Sequence, residues 1–247
     1  MKVSIVTVCY NANNHIAKCI ESVLGQDYGD IEYIIVDGAS KDGTIDTVKS
    51  YGAKISKFIS EPDKGIYNAM NKGVAQCTGE VIGILNADDV YATENTISQI
   101  IQAFKEYKTD AISTDVGIYK DPDFKKQFRY YNASHFKKWQ FRIGIQPPHP
   151  GFFIKTGCYD KYGDFNEEYR ISADFDLLLR FIKIHKISYK CINLMSVKML
   201  DGGASASGLK SKILMNKEGL DSLKKHGIYS NTVLVWSKYL FKVFQMI

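Results

Sequence analysis

The 247-residue sequence has no CxxC pair, no GxGxxG, no internal repeat and no low-complexity tract. Its five cysteines, Cys9, Cys19, Cys77, Cys158 and Cys191, are odd in number and scattered. That argues against a disulfide framework and predicts a reducing, cytoplasmic setting. No apolar run is long enough to span a bilayer. The first residues, Met1 to Asn11, form a short apolar run that passes directly into Asn-rich sequence, so no signal peptide is expected. The net charge is only +5 and dispersed, without an Arg-rich helix or zinc-finger spacing. This excludes a dedicated nucleic-acid binder, but suits a protein that meets nucleotide phosphates or an acidic lipid face. Without GxGxxG after the first strand, a dinucleotide oxidoreductase is excluded. A nucleotidyltransferase would want a Gly-rich basic loop there, where this chain has Cys9-Tyr10-Asn11-Ala12-Asn13.

What is present is ordinary globular material, with 45% apolar and 24% charged residues. The length suits one large α/β domain. Strand-like runs at Val3–Val8, Tyr33–Val36, Ile55–Ile59 and Val81–Leu85 alternate with helical patterns at 15–26, 44–51, around Met70–Cys77 and around Ile97–Phe104. Strands separated by helices of this length predict βαβ units and a mostly parallel sheet with helices on both faces. After about Asp110 the pattern changes. Strand-like pieces at 111–119 and 126–131 follow closely, and Gln146-Pro147-Pro148-His149-Pro150 marks a loop. A helix over 173–184 and a strand over 187–199 come next, then helices over 209–226 and 232–247. The expected division is 1–110, 111–207 and a C-terminal helical extension, 208–247.

In an open α/β sheet, ligands sit at the carboxyl ends of the strands. Four polar clusters stand there in register: 7–11, 37–44, 61–65 and Asn86-Ala87-Asp88-Asp89. Four together suggest one composite site. Adjacent carboxylates repel and are most easily kept beside a hard cation such as Mg²⁺ or Mn²⁺. Alone, though, Asn86–Asp89 reads equally as a turn with an Asp helix cap. Asp37 sits where an acceptor side chain could read an imide N–H or a ribose hydroxyl, and Lys64 with Gly65 where a phosphate could be approached. Either segment also fits a plain turn or a solvated loop.

Taken together, these clusters resemble the family 2 glycosyltransferases. VSIVTVCYN looks like that family's first strand, YIIVDGASKDGT its second signature and SEPDKGIYNAMNKG its third, while LNADD resembles its variant of the DXD metal motif. His149-Pro150-Gly151-Phe152-Phe153 and Ile171 to Arg180 resemble the acceptor half, so the likeness spans roughly 1–205. It implies a GT-A fold with a smaller acceptor-side sheet, a nucleotide-sugar donor (UDP-linked by resemblance), Mn²⁺ or Mg²⁺, and inversion at the anomeric carbon. The implied acceptor is a glycan hydroxyl, lipid-linked or on a surface polysaccharide. By the same resemblance, Thr7, Tyr10, Asn11, Asp37 and Asp63 hold the nucleoside, with Lys64 and Asn86 beside them. Asp88 lies near ribose or metal, and Asp89 is the direct metal ligand. The family often places Glu-Asp ahead of the last helix. Here the Glu position is Ala173, and Asp174 is assigned as general base. Asp176 is the rival, though its spacing to Arg180 suits a structural ion pair. The alanine favours an alternative, a nucleotide-sugar-binding protein without turnover; the retained Asp88, Asp89 and Asp174 oppose it.

Three segments stay open on sequence alone. His149 reads as a substrate contact or as a packed loop histidine. Gly202-Gly203-Ala204-Ser205 reads as a loop closing over a diphosphate or as a linker. The run 233–244, apolar with Lys238 and Lys242, reads as a peripheral membrane contact or as a packing helix.

Overall fold

A computed structural model describes residues 1–202 and 208–243, the side chains of 241–243 excepted. The strands are β1 (Val3–Cys9), β2 (Ile31–Asp37), β3 (Lys57–Ser60), β4 (Val81–Ile84), β5 (Val90–Tyr91), β6 (Ala111–Tyr119), β7 (Gln127–Tyr131), β8 (Phe152–Lys155) and β9 (Tyr189–Leu200). The helices are α1 (Ile16–Leu24), α2 (Thr44–Ser50), α3 (Ile66–Val74), α4 (Thr96–Tyr107), α5 (Thr156–Tyr162), α6 (Ala173–Leu178), α7 (Leu209–Lys225) and α8 (Thr232–Val243). The expected helix over 173–184 is α6 continued by a π-helical turn, Leu179–Ile184. Residues 203–205 of the glycine-rich loop and 244–247 of the last expected helix lie outside the described residues.

One sheet runs in the order β3-β2-β1-β4-β8-β6-β9-β5, with β7 added on β6. Strands β1 to β4 are parallel, which is why β1 is buried at every position and reads as a continuous apolar run. The pairs β4–β8 and β6–β8 are antiparallel and β6–β9 is parallel, so the acceptor-side strands are joined to the first half through β8. Alternate residues of each strand face opposite layers. Val6, Val8, Ile34 and Val36 pack under Tyr67 and Met70 of α3, with Phe175 and Leu223 in the same core. Ile5, Tyr33 and Ile35 pack against Ile16 and Ile20 of α1 and Ile97 and Ile100 of α4.

Two glycines make close approaches possible. A Cβ on Gly73 would run into Val6, so α3 lies tight on β1; a Cβ on Gly151 would stand 2.6 Å from the Thr114 carbonyl oxygen on β6. The latter is the reason for glycine in the His-Pro-Gly turn that delivers β8.

At the opposite end of β2, buried Glu32 accepts hydrogen bonds from Ser4 Oγ (2.6 Å), the Thr78 N–H (2.7 Å) and hydroxyl (2.7 Å), and Lys2 Nζ (3.1 Å). Burial pushes its carboxyl up, but these four bonds outweigh it and hold the carboxyl down at about 2. The folded value lies below the unfolded one of about 4.3. Glu32 therefore stabilises the fold above the unfolded value, and this contribution fades as pH falls toward about 2. Glu32→Gln should cost about 1–3 kcal/mol at neutral pH. It should also remove this part of the acid slope in urea unfolding; an unchanged slope would contradict the assignment.

Candidate functional site

The carboxyl ends of β1 and β4, with the loop after β3, open onto a cavity of about 1060 Å³, large enough for a nucleotide-sized ligand. One corner is built by Tyr10, Asn11 and Asp63. Tyr10 is 64% exposed, leaving its ring free to stack. Asn11 takes a left-handed backbone (φ 49°). Its N–H donates to Ser40 Oγ (2.8 Å) and its Oδ1 accepts from Lys41 N–H (2.9 Å), tying the β1 and β2 loops together. Asp63 lies against Gly38 so closely that any side chain there would collide with it, and its Oδ1 accepts the Gly65 N–H at 2.9 Å.

Three expected contacts are placed elsewhere. Thr7 is fully buried on the α1 face, its hydroxyl bonded to Tyr33 Oη (3.1 Å) and near Cys19 Sγ (3.7 Å). It stands two residues inside the strand end and outside the cavity lining. Asp37 is also fully buried. Its oxygens accept from Ser40 N–H (3.0 Å), Ser40 Oγ and Ser60 Oγ (2.8 Å). It ties the β2–α2 loop to β3 and stands outside the cavity lining. Lys64 is exposed and stands outside the cavity lining.

Asn86, Asp88 and Asp89 line the middle of the cavity. Asp89 is 1% exposed; its Oδ1 accepts Leu200 N–H (3.2 Å) and its Oδ2 accepts Asn86 Nδ2 (3.3 Å). Burial first, and Asp88 second, push its carboxyl well above the usual range. Burial likewise raises Asp88, partly offset by its own N–H and by His15. The buried Asn86 Oδ1 has no hydrogen-bond partner. Two raised carboxyls and an orphaned carbonyl oxygen are the donor set a hard cation takes. No cluster of three or more His, Cys, Asp or Glu forms among the described residues, so phosphate and water oxygens would have to complete such an ion's coordination.

The far wall carries Asp174, just inside α6. Its Oδ2 accepts Gln146 Nε2 (2.6 Å), and Tyr67 Oη, whose hydroxyl is shared with the Ile171 carbonyl (2.6 Å), stands 3.2 Å from its Oδ1. Tyr131 donates to the Gln146 carbonyl, locking the Gln146 segment. Asp176 faces away: 3% exposed, it pairs with Arg180 Nε (2.9 Å) and bonds Ser222 Oγ (2.6 Å) and His226 Nε2 (3.1 Å). His149 is buried beside the cavity, edge-on to Phe165, and burial lowers its pKa while Asp174 opposes the shift.

Further lining residues were not among the expected site residues. Arg129 lines the cavity with its buried Nε unpartnered. Lys212, Met215 and Gly219 of α7, with Val235, Lys238 and Tyr239 of α8, close one side. The C-terminal helices therefore wall the site.

The Glycosyl transferase family 2 model matches residues 4–160, well over half the chain. The chain belongs to glycosyl transferase family 2. Among relatives of this family, a PGL/p-HBAD biosynthesis glycosyltransferase of Mycobacterium bovis is 28% identical over 181 residues, 72% of this chain and 68% of the relative. An uncharacterized glycosyltransferase of Rickettsia typhi is 27% identical over 215 residues, 84% of this chain and 67% of the relative. Among solved structures, S. aureus TarS 1–349 in complex with UDP-GlcNAc superposes with a TM-score of 0.70 at 16% identity, covering 99% of this chain and 73% of that one. The mannosyltransferase PcManGT from Pyrobaculum calidifontis, in complex with GDP-Man and Mn²⁺, superposes with a TM-score of 0.68 at 16% identity, covering 91% of this chain and 63% of that one. These superpositions show the GT-A fold. The family 2 match ends before Asp174 and before both C-terminal helices.

Proposed function

We propose that the chain is an inverting, metal-dependent glycosyltransferase that moves a sugar from a nucleoside diphosphate, UDP by preference, to an acceptor hydroxyl. The observation that carries this reading is the presence of Asp88–Asp89 and Asp174 on the walls of one cavity. Tyr10 and Asp63 would hold the nucleoside, and Asn86, Asp88 and Asp89 a Mn²⁺ or Mg²⁺ ion beside the diphosphate. When bound, that ion supplies positive charge against the charge growing on the leaving diphosphate. Asp174 Oδ takes the acceptor proton as the acceptor oxygen bonds to the anomeric carbon and the bond from that carbon to the diphosphate oxygen breaks. Attack opposite the leaving group inverts the anomeric configuration. Gln146 and Tyr67 orient the carboxylate for that proton transfer. UDP is favoured because TarS is seen in complex with UDP and with UDP-GlcNAc; PcManGT, with GDP-Man, is the reason to test guanosine sugars beside it. A panel of UDP- and GDP-sugars, assayed for nucleotide release with Mn²⁺ and with chelator, tests the reading. Metal-dependent release from one donor class is expected; no release and no binding of any donor would overturn it.

We also propose a lipid-linked glycan acceptor, met at an anionic membrane surface from the cytoplasmic side. Among the described residues no helix is long and apolar enough to cross a membrane. Instead α8 has two faces: Val235 and Lys238 are buried toward the cavity, while Val233 (79%), Leu240 (71%) and Trp236 (37%) are exposed. Trp139, Leu209 and Ile213 add exposed apolar area. Segments 124–159, 202–217 and 222–247 contain no Asp or Glu but many lysines, a charge pattern suited to anionic headgroups. The double variant Val233→Ser/Leu240→Ser should lower co-sedimentation with anionic vesicles and leave UDP affinity unchanged. A wild-type protein that ignores such vesicles would contradict it.

A further inference from the structure

Residues 170–172, the turn that delivers Asp174, carry three consecutive backbone N–H groups that no local side chain satisfies. Ser172 is the N-cap residue of α6, yet its side chain makes no cap bond; its hydroxyl donates instead to the Met215 carbonyl on α7 (3.1 Å). The missing acceptor comes from Glu218, also on α7 and only 8% exposed. Its Oε1 accepts Arg170 N–H (2.9 Å), and its Oε2 accepts Ile171 N–H (2.9 Å) and Ser172 N–H (3.0 Å). Four and eight residues on, Ser222 and His226 hold Asp176. Residues spaced by four share one face of a helix. A single stripe of α7 thus grips the chain on both sides of Asp174, two residues before it and two after. Asp174 itself is left to face the cavity, bonded to Gln146 and Tyr67.

We propose that Glu218, with the Ser222–His226 pair, is a positioning element of the transfer reaction: α7 fixes the turn 170–172 and so aims the Asp174 carboxylate. This rests on the reading of Asp174 as the base. Tyr10, Asp63, Asp88 and Asp89 stand on other elements, so although Lys212, Met215 and Gly219 of α7 line the cavity, the Glu218 bonds act on the base and touch none of those four residues. Carboxylate bonds to backbone N–H groups are among the stronger hydrogen bonds, and here they stand in for a helix cap. A catalytic group moved by about 1 Å can lose on the order of 10²-fold in rate.

The test uses Glu218→Gln in the full chain, where the amide turns a donor toward N–H groups that need an acceptor. Amide hydrogen exchange should accelerate at Arg170, Ile171 and Ser172 and stay unchanged at 86–89. UDP Kd in Mn²⁺ should remain within about twofold of wild type. With the donor found by the panel above, kcat should fall ~10- to 10²-fold. Because Glu218 acts through Asp174, Asp174→Asn/Glu218→Gln should lose no more than Asp174→Asn alone. Wild-type exchange at 170–172, a parallel loss of UDP affinity, or additive losses in the double variant would each overturn the proposal. If Glu218→Gln does not fold, Ser222→Ala gives the same decision, with a smaller kcat loss expected and the same absence of additivity. An active Asp174→Asn protein would instead sink the assignment of the base, which separates the two failures.

Discussion

Replacing Asp174 by Asn should lower kcat by ~10²–10⁴-fold and leave UDP affinity near the wild-type value. The carboxylate and the amide have nearly the same size, and the amide oxygen can accept from Gln146 Nε2 (2.6 Å from Oδ2) while its NH2 faces Tyr67 Oη (3.2 Å from Oδ1). The substitution removes the ability to take a proton. A base acts in the transition state, so the loss belongs in kcat and not in nucleotide binding. Asp176→Asn should behave differently. Its carboxylate is nearly buried against Arg180, Ser222 and His226, and breaking a buried pair from one side costs about 3–5 kcal/mol of stability. Urea unfolding together with steady-state kinetics on both variants separates the roles. A fully active Asp174→Asn protein beside a folded but inactive Asp176→Asn protein would reverse them.

Asp89→Asn should produce opposite effects with and without metal. In chelator, the wild-type protein keeps Asp89 almost completely buried next to Asp88. Burying a carboxylate beside a like charge is unfavourable. The neutral amide relieves this and can still accept from the Leu200 N–H, which stands 3.2 Å from Oδ1. The variant should therefore melt at a higher temperature than wild type in chelator. Repulsion between the site and a nucleoside diphosphate should also be smaller in the variant. In Mn²⁺ the order reverses, because wild type gains a ligand that binds only the folded state and the variant has lost a charged donor. Transfer activity of Asp89→Asn should fall sharply at every Mn²⁺ concentration. Thermal unfolding of both proteins in Mn²⁺ and in chelator reads the crossing. Melting temperatures that move in parallel would show that Asp89 is a structural turn residue.

The first half of the fold was legible because its signals are local. β-branched runs end in polar clusters, and apolar residues recur at helical spacing between them, so β1 to β4 and α1 to α4 stand where expected. The strand β8 was not legible. Four residues behind a proline-rich loop carry no period, and only the long-range pairings Ile82–Ile154 and Ala111–Ile154 make them a strand. The two-residue β5 is defined by pairing alone. For the site, motif position was a good guide to the loops and a poor one to individual side chains. Thr7 belongs to the right strand, but its depth puts its hydroxyl in the core. Asp37 ends the right strand, but Ser40 and Ser60 take up its oxygens, which no local pattern foretells. Glu218, Ser222 and His226 read as an ordinary polar helix face. Their meaning comes from residues about fifty positions earlier in the chain.

Calorimetric titration of UDP into the wild-type protein, in Mn²⁺ and again in chelator, tests the central claim most directly. The claim is that one cavity holds a nucleoside diphosphate through Asp88 and Asp89 and presents it to Asp174. It predicts clear one-to-one binding in Mn²⁺ and an affinity at least ~10-fold weaker in chelator, since the ion offsets the repulsion between the diphosphate and the two carboxylates. Equal affinity under both conditions, or no binding of UDP or GDP under either, would contradict it.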